Sequence, residues 1–271
     1  MNSRRSADGQ GPSWGRARPN GAMRQMTTSS NHDQPSRRKG SVAIRPMVWA
    51  DMPDLVGTFD ATWKVQEDPE GTVSRLSAAH FILHYLVGAT RARIAVDGQD
   101  FLGVTLLAEG RGELCFPQAQ EELEQVDQQL SATTLGARTL DRARQWQLTE
   151  VKLEEKCGLT VPPQAELRLF LVSSRARGRG VGGTLWRDNL EHLDQAGIER
   201  FYLHTDSSCD VGFYDHKGME RLAELRGRDH AAFAGRDPSD DPQFFEGIDD
   251  IFIYAGRVSD QLGKDGDHGG R

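Results

Sequence analysis

Leu169–Trp186 reads LFLVSSRARGRGVGGTLW. The run from Leu167 to Val172, apolar but for Arg168, has the length of a buried strand. From Val181 onward Leu185, Trp186, Leu190 and Leu193 recur at helical spacing until Gly197 offers a stop. Between strand and helix stand Arg175, Arg177 and Arg179, with Gly178, Gly180, Gly182 and Gly183. Glycines let backbone N–H groups come close to a ligand, a helix start carries partial positive charge, and arginines add mobile cations. A strand, loop and helix of this composition form an anion cradle suited to a ligand with several phosphates.

Outward from the cradle the periodicity changes in a definite order. SVAIRPMVW reads as a short strand, and Asp51 is placed to cap a helix from about Pro53 through Leu55, Phe59 and Trp63. SAAHFILHYLVG is a strongly apolar helix. Its His80 and His84 are four apart, as zinc ligands can be, but HFILH lacks the glutamate of a zinc-protease helix, so both read as core or rim histidines. ARIAVDGQDFLGVTLLAEG reads as two strands joined across Asp97-Gly98. Helical periodicity then runs from about Gln118 to Cys157, with Leu123, Val126 and Leu130 on one face and Leu140, Trp146 and Val151 on another. This excursion has three readings: a helical pair packed on the sheet, cover over a substrate, or a contact between two copies of the chain. After the cradle helix, RFYLHT and DDIFIYAGRV read as strands.

Composition bounds what this chain does. At 271 residues with 37% apolar side chains it can bury a sizeable core. Eight of the 33 basic residues and only two of the 40 acidic ones fall in the first forty positions. The rest is therefore more acidic than the total of −7 suggests, which argues against a nucleic-acid surface spread over the domain. Those forty residues contain no Leu, Ile, Val or Phe and are expected to be a disordered basic tail. They share the arginine bias of a mitochondrial transit peptide but lack its apolar face. The Gly- and Asp-rich end, 259–271, is expected to be a flexible tail. No apolar run approaches the ~20 residues of a membrane span, so the expectation is a cytoplasmic protein. Cys115, Cys157 and Cys209 lie far apart, with no CxxC pair, and read as reduced packing residues.

Gly178, Gly180 and Gly183 also satisfy GxGxxG, the dinucleotide fingerprint. In that fold the first glycine follows its strand almost at once, whereas Ser173 to Arg177 intervene here, and the preceding strands read as a hairpin. An arginine–glycine RNA-binding segment is disfavoured by the strand and helix on either side.

VSSRARGRGVGGTL resembles the acyl-coenzyme A loop of the GNAT acyltransferase superfamily, R/Q-x-x-G-x-G/A after a strand ending in valine. Arg177, Gly180 and Gly182 fill the motif behind Val172. GFYDHKGM is similar to the family's FYxxxGF segment, with Met219 in place of the last phenylalanine. The resemblance covers 41–258. It implies a mixed α/β fold with one twisted, largely antiparallel sheet flanked by helices, and a helical insertion (about 118–158) between the third and fourth strands. It also implies acetyl-coenzyme A as cosubstrate and no metal. The pantetheine would lie along Phe170, Leu171 and Val172, and the pyrophosphate on the backbone of Arg177, Gly178, Arg179, Gly180, Val181, Gly182 and Gly183. Tyr214 takes the family's place of the general acid, and Glu166, six residues before Val172, that of the base. Asp206 and His204 are weaker base candidates. Where family members often have an asparagine ahead of the tyrosine motif, this chain offers Ser207 and Ser208. Cys209, with no evident histidine partner, reads as a half-buried helix thiol.

The implied activity is direct attack of an amine on the thioester, with an unidentified primary amine as acceptor and no nucleic acid or membrane as partner. A homodimer is kept among the partners. A domain that binds acyl-coenzyme A without chemistry, as a sensor or partner-binding module, is the alternative, and a nicotinamide-dependent oxidoreductase a distant third.

Overall fold

A computed structural model describes residues 41–64, 68–159, 165–237, 239 and 244–267. The expected basic tail lies outside the described residues. Strands β1 (Ala43–Pro46), β2 (Arg91–Asp97), β3 (Asp100–Glu109), β4 (Ala165–Val172), β5 (Arg200–Asp206), β6 (Glu220–Leu225) and β7 (Ile251–Arg257) form one sheet in the order β1-β2-β3-β4-β5-β7-β6. Every neighbouring pair is antiparallel except β4 and β5. Mixed α/β with a largely antiparallel sheet is thus the observed class. The β2–β3 hairpin turns at Gly98, whose φ of 60° explains the glycine.

The two faces of the sheet are covered by different helices. On one face lie α1 (Met52–Trp63), α2 (Thr72–Leu86), α3 (Ala119–Ser131) and α4 (Thr134–Cys157). Leu55 and Phe59 of α1, Ile82 and Leu86 of α2, and Val126 and Leu130 of α3 share a core with Ile94, Val104, Leu106 and Leu169. Leu153 of α4 packs farther along the same face, against Tyr202, Ile251 and Ile253. The opposite face carries α5 (Val181–Gln195) and α8 (Val258–Asp267). Trp186, Leu190 and Leu193 of α5 meet Phe201, Leu203, Tyr254 and Val258 there. Each such fully buried side chain contributes about 1.5–3 kcal/mol.

Helices α3 and α4 both lie between β3 and β4 in the chain. Thr133 starts α4 by accepting the N–H of Gly136 at 3.0 Å, and Gly158, at φ 69°, ends it.

Four elements differ from the sequence-based reading. Asp51 does not cap α1: its carboxylate turns back to accept the N–H of Val48 and to pair with Arg45, both at 2.8 Å. The C-terminal segment is not loose from 259, because Val258 and Gln261 bury one face of α8 and so hold it on the sheet. Strand β6 and the short α7 (His230–Ala234) had no periodic signal to announce them.

Candidate active site

The cradle is built as strand, tight turn and helix. Ser173 continues β4's pairing by donating its N–H to Leu102 O at 2.9 Å, and a single 3-10 turn, Ser174–Ala176, follows. Gly178 and Gly180 each take φ 72°, a conformation that strains other residues, and Gly180 stands at the start of α5. The N–H groups of the first helical turn have no acceptor within the helix, so Val181, Gly182 and Gly183 present theirs outward. Space for a ligand is present: a Cβ at Gly180 or Gly183 would meet nothing within 4 Å. Arg175, Arg177 and Arg179 are exposed, and Arg179 pairs with Asp97 of the hairpin at 2.6 Å. These features fit a polyphosphate.

β4 and β5 share only two rungs, Ala165 with Phe201 and Glu166 with Tyr202. From Leu167 onward the strands diverge, while β4 stays paired with β3 as far as Val172. The divergence leaves the backbone groups of Phe170 and Val172 on the β5 side for an extended, amide-bearing ligand to use. It also opens a cavity of about 540 Å³ that reaches Phe170, Leu203, His204, Asp206 and Tyr214.

A bulge in β4 shapes the cavity. Leu106 pairs with Leu169 and Leu107 with Leu167, so Arg168 is one residue more than β3 can match. The extra residue switches the inward face of β4: Leu167 packs with Trp186 of α5, and Leu169 with α1 and α2. It also aims the Arg168 guanidinium at the last carbonyls of α2, where it bonds His84, Tyr85 and Val87.

Around Arg168 lies a charged network. Its Nε donates to Glu166 at 2.9 Å. Glu166 faces His204 Nδ1 at 3.7 Å, and His204 Nε2 faces Glu154 of α4 at 3.2 Å. Burial alone would raise the Glu166 carboxyl, but His204 and Arg168 outweigh it and hold it at about 2. His204 is the complement: burial pushes it down, yet Glu166, Glu150 and Glu154 hold it at about 9. Ligand-type atoms of Glu154, Glu166 and His204 lie within 4.8 Å of one another, a spacing a metal ion can use, and the Arg168 guanidinium supplies positive charge to the same cluster. A carboxyl titrating near 2 holds a proton poorly, which weighs against Glu166 as the base that the sequence suggests.

Glu150 and Glu154 were missed by sequence reasoning. Both line the cavity from α4, one turn apart, with Trp146 a turn earlier. The spacing Trp146, Glu150, Glu154 was visible, but it matches that of an ordinary solvated helix face. Enclosure by protein lifts Glu150 to about 7, against the pull of His204 and of the Trp146 indole, which donates to it at 2.9 Å.

Tyr214 stands on α6 (Val211–His216), buried beside Trp186 and Tyr254. Burial pushes its phenol up, and the neighbouring Cys209 and Asp206 act in the same direction, so it stays a proton donor across the ordinary pH range. Cys209 lies in the turn before α6 rather than on a helix, and burial raises its thiol, which keeps it protonated and a poor nucleophile. His84 lines the cavity and is held at about 4 by burial and then by Arg168, while His80 is buried against Asp127 at 2.6 Å.

Residues 149–219 match the model of the acetyltransferase (GNAT) family. Two solved structures share the fold. One is the apo form of an agmatine N-acetyltransferase point mutant, 13% identical, covering 80% of this chain and 100% of its own, with a TM-score of 0.52. The other is the Drosophila melanogaster polyamine N-acetyltransferase, described as forming N-acetylagmatine, 12% identical with the same coverage and a TM-score of 0.51. Among curated proteins no sequence matches. The likeness to the two solved structures is one of fold, and the family match runs from the C-terminal part of α4 through α6, the stretch that carries the divergent strand pair and the glycine-rich helix start. No helix among the described residues is long and apolar enough to cross a membrane.

Proposed function

We propose that the chain is an N-acetyltransferase that moves the acetyl group of acetyl-coenzyme A directly to a primary amine. The observation that carries this reading is the divergence of β4 and β5 after Glu166 and Tyr202, which joins the cradle on the α5 side to the carboxylate-lined cavity on the α4 side. In this reading Arg177 to Gly183 hold the pyrophosphate through backbone N–H groups, and Phe170, Leu171 and Val172 hold the pantetheine. The thioester then lies at the split, between Tyr214 and the carboxylates.

A lysine-like ammonium, with a pKa of ~10.4, costs about 4.6 kcal/mol to deprotonate at pH 7, so the acceptor side needs a proton acceptor. Glu166, kept ionised by Arg168, attracts the ammonium and keeps His204 charged. Tyr214, kept protonated by burial, donates a hydrogen bond to the sulfur as negative charge develops there. The fold neighbours that act on agmatine and polyamines support an amine as acceptor.

The test is to incubate the protein with acetyl-labelled acetyl-coenzyme A and a metabolite extract and to follow the label by mass spectrometry. Label in an amide product supports the reading. Tight cofactor binding with no transfer to any amine would replace it by the sensor.

A further inference from the structure

Three glutamates line the α4 side of the cavity, and their partners differ. Glu166 is bound to the Arg168 guanidinium, and Glu154 faces the His204 imidazole. Glu150 accepts its hydrogen bond from the Trp146 indole, a neutral donor, and takes part in none of the ion pairs among the described residues. A guanidinium contact strips a carboxylate of proton affinity, whereas an enclosed carboxylate held by a neutral N–H retains it. The groups facing Glu150 are Glu154 on its own helix, Glu166 on β4, His204 on β5 and Tyr85 on α2. His230 of α7 lies against Trp146, with ring centroids 5.7 Å apart.

We infer that Glu150, carried into the cavity by the inserted helix α4, is the base that takes the proton from the acceptor ammonium, an assignment that rests on the acetyltransferase reading above. The ammonium gives one proton to a Glu150 carboxylate oxygen, and the freed lone pair forms the N–C bond at the thioester carbonyl. As the C–S bond breaks, the electron pair leaves on sulfur, and the second proton shed by the nitrogen neutralises the thiolate. Amide, free thiol and protonated Glu150 result, and Glu150 returns its proton to water. Its titration near 7 suits this cycle, because a base works best near the operating pH. His204, cationic at the same pH, steadies the ionised form between turnovers. The insertion thus contributes a reacting group, and the acceptor enters as a cation.

The test is the pH profile of kcat/KM from pH 5.5 to 10 for the full chain and for Glu150→Gln and Glu166→Gln, with acetyl-coenzyme A and a panel that includes 2-phenylethylamine and 1,4-diaminobutane. Glutamine can still accept the Trp146 indole, so the fold and acetyl-coenzyme A affinity should hold. The wild type should rise through a limb near pH 7. Glu150→Gln should lose that limb, run roughly 10²-fold slower at pH 7, and recover as pH approaches the acceptor's own pKa. Glu166→Gln should keep a limb near neutrality. A limb preserved in Glu150→Gln, with acetylation intact, overturns the assignment and leaves the acetyltransferase reading standing. Bound acetyl-coenzyme A that no amine consumes, in the wild type as in the variants, overturns both.

Discussion

Glu166 and Tyr202 form the last rung that β4 and β5 share. Everything beyond that rung depends on the strands parting: the cavity, the unpaired edge of β4 and the approach from the α5 cradle to the α4 carboxylates. A parallel pair that continued to Val172 would bury the same backbone groups in a ladder and leave no room for a thioester.

The cradle makes a prediction about ligand choice. Acetyl-coenzyme A should raise the melting temperature, and NADH at the same concentration should not. A ligand bound only by the native state stabilises it by about 2.7 kcal/mol at a hundredfold excess over Kd. Stabilisation by NADH alone, in differential scanning fluorimetry, would return GxGxxG to its dinucleotide meaning.

Glycine geometry sharpens a second prediction. Gly180 sits at φ 72°, so any side chain there strains the turn as well as blocking the ligand. Gly182 lies in the first turn of α5, and a Cβ there would make ordinary contacts, 3.7 Å from Val172 and 3.8 Å from Phe170. Gly182→Glu should therefore keep the fold while placing bulk and negative charge where N–H groups face a phosphate. Isothermal titration should show acetyl-coenzyme A binding weakened at least tenfold, with circular dichroism unchanged. Unaltered affinity in the folded variant would mean that the pyrophosphate binds elsewhere.

The charged network should be visible in stability against pH. Glu150 titrates at about 7 in the fold against an ordinary 4.5, so the folded protein holds that proton longer and stability falls as pH rises from 4.5 through 7. His204, at about 9 against 6.5, contributes stability that is complete below 6.5 and lost as pH rises through 9. Glu166, at about 2, contributes above 4.5, and that contribution is lost as pH falls through 2. Melting curves from pH 4.5 to 9.5 should show Glu150→Gln gaining on the wild type between pH 5 and 8, and His204→Gln flattening the fall between 6.5 and 9. Parallel curves for all three proteins would mean that these groups do not interact as the geometry indicates.

How much of this was legible beforehand follows from where each signal lives. The cradle is local: glycine, arginine and helix periodicity lie within eighteen consecutive residues, and the motif around Tyr214 is equally compact. The sheet was legible for the same reason, since most strands alternate or run apolar over their own length. The bulge at Arg168 was not, because an extra residue is defined only against its partner strand. Glu150 and Glu154 were illegible in another way. A glutamate every fourth position on a helix normally faces water, and here the sheet, α2 and β5 turn that face inward. The Glu166 position was readable and its ionisation was not, because Arg168 and His204 act on it through space.

Tyr214→Phe separates an enzyme from a binder. Removing one oxygen keeps the ring against Trp186 and Tyr254, so melting temperature and acetyl-coenzyme A affinity should barely move. If the phenol meets the departing sulfur, turnover should fall by roughly 10²-fold, the low end for a positioned proton donor. The loss should appear in kcat, because the interaction strengthens only as the thiolate forms. It should also persist across pH 6 to 9, since burial holds the phenol protonated over that whole range. A Glu150→Gln deficit should shrink over the same interval as more acceptor is already neutral, so the two variants are distinguished by slope as well as size. Wild-type turnover in Tyr214→Phe at every pH would remove the phenol from the chemistry and leave it a packing residue between α5 and β7.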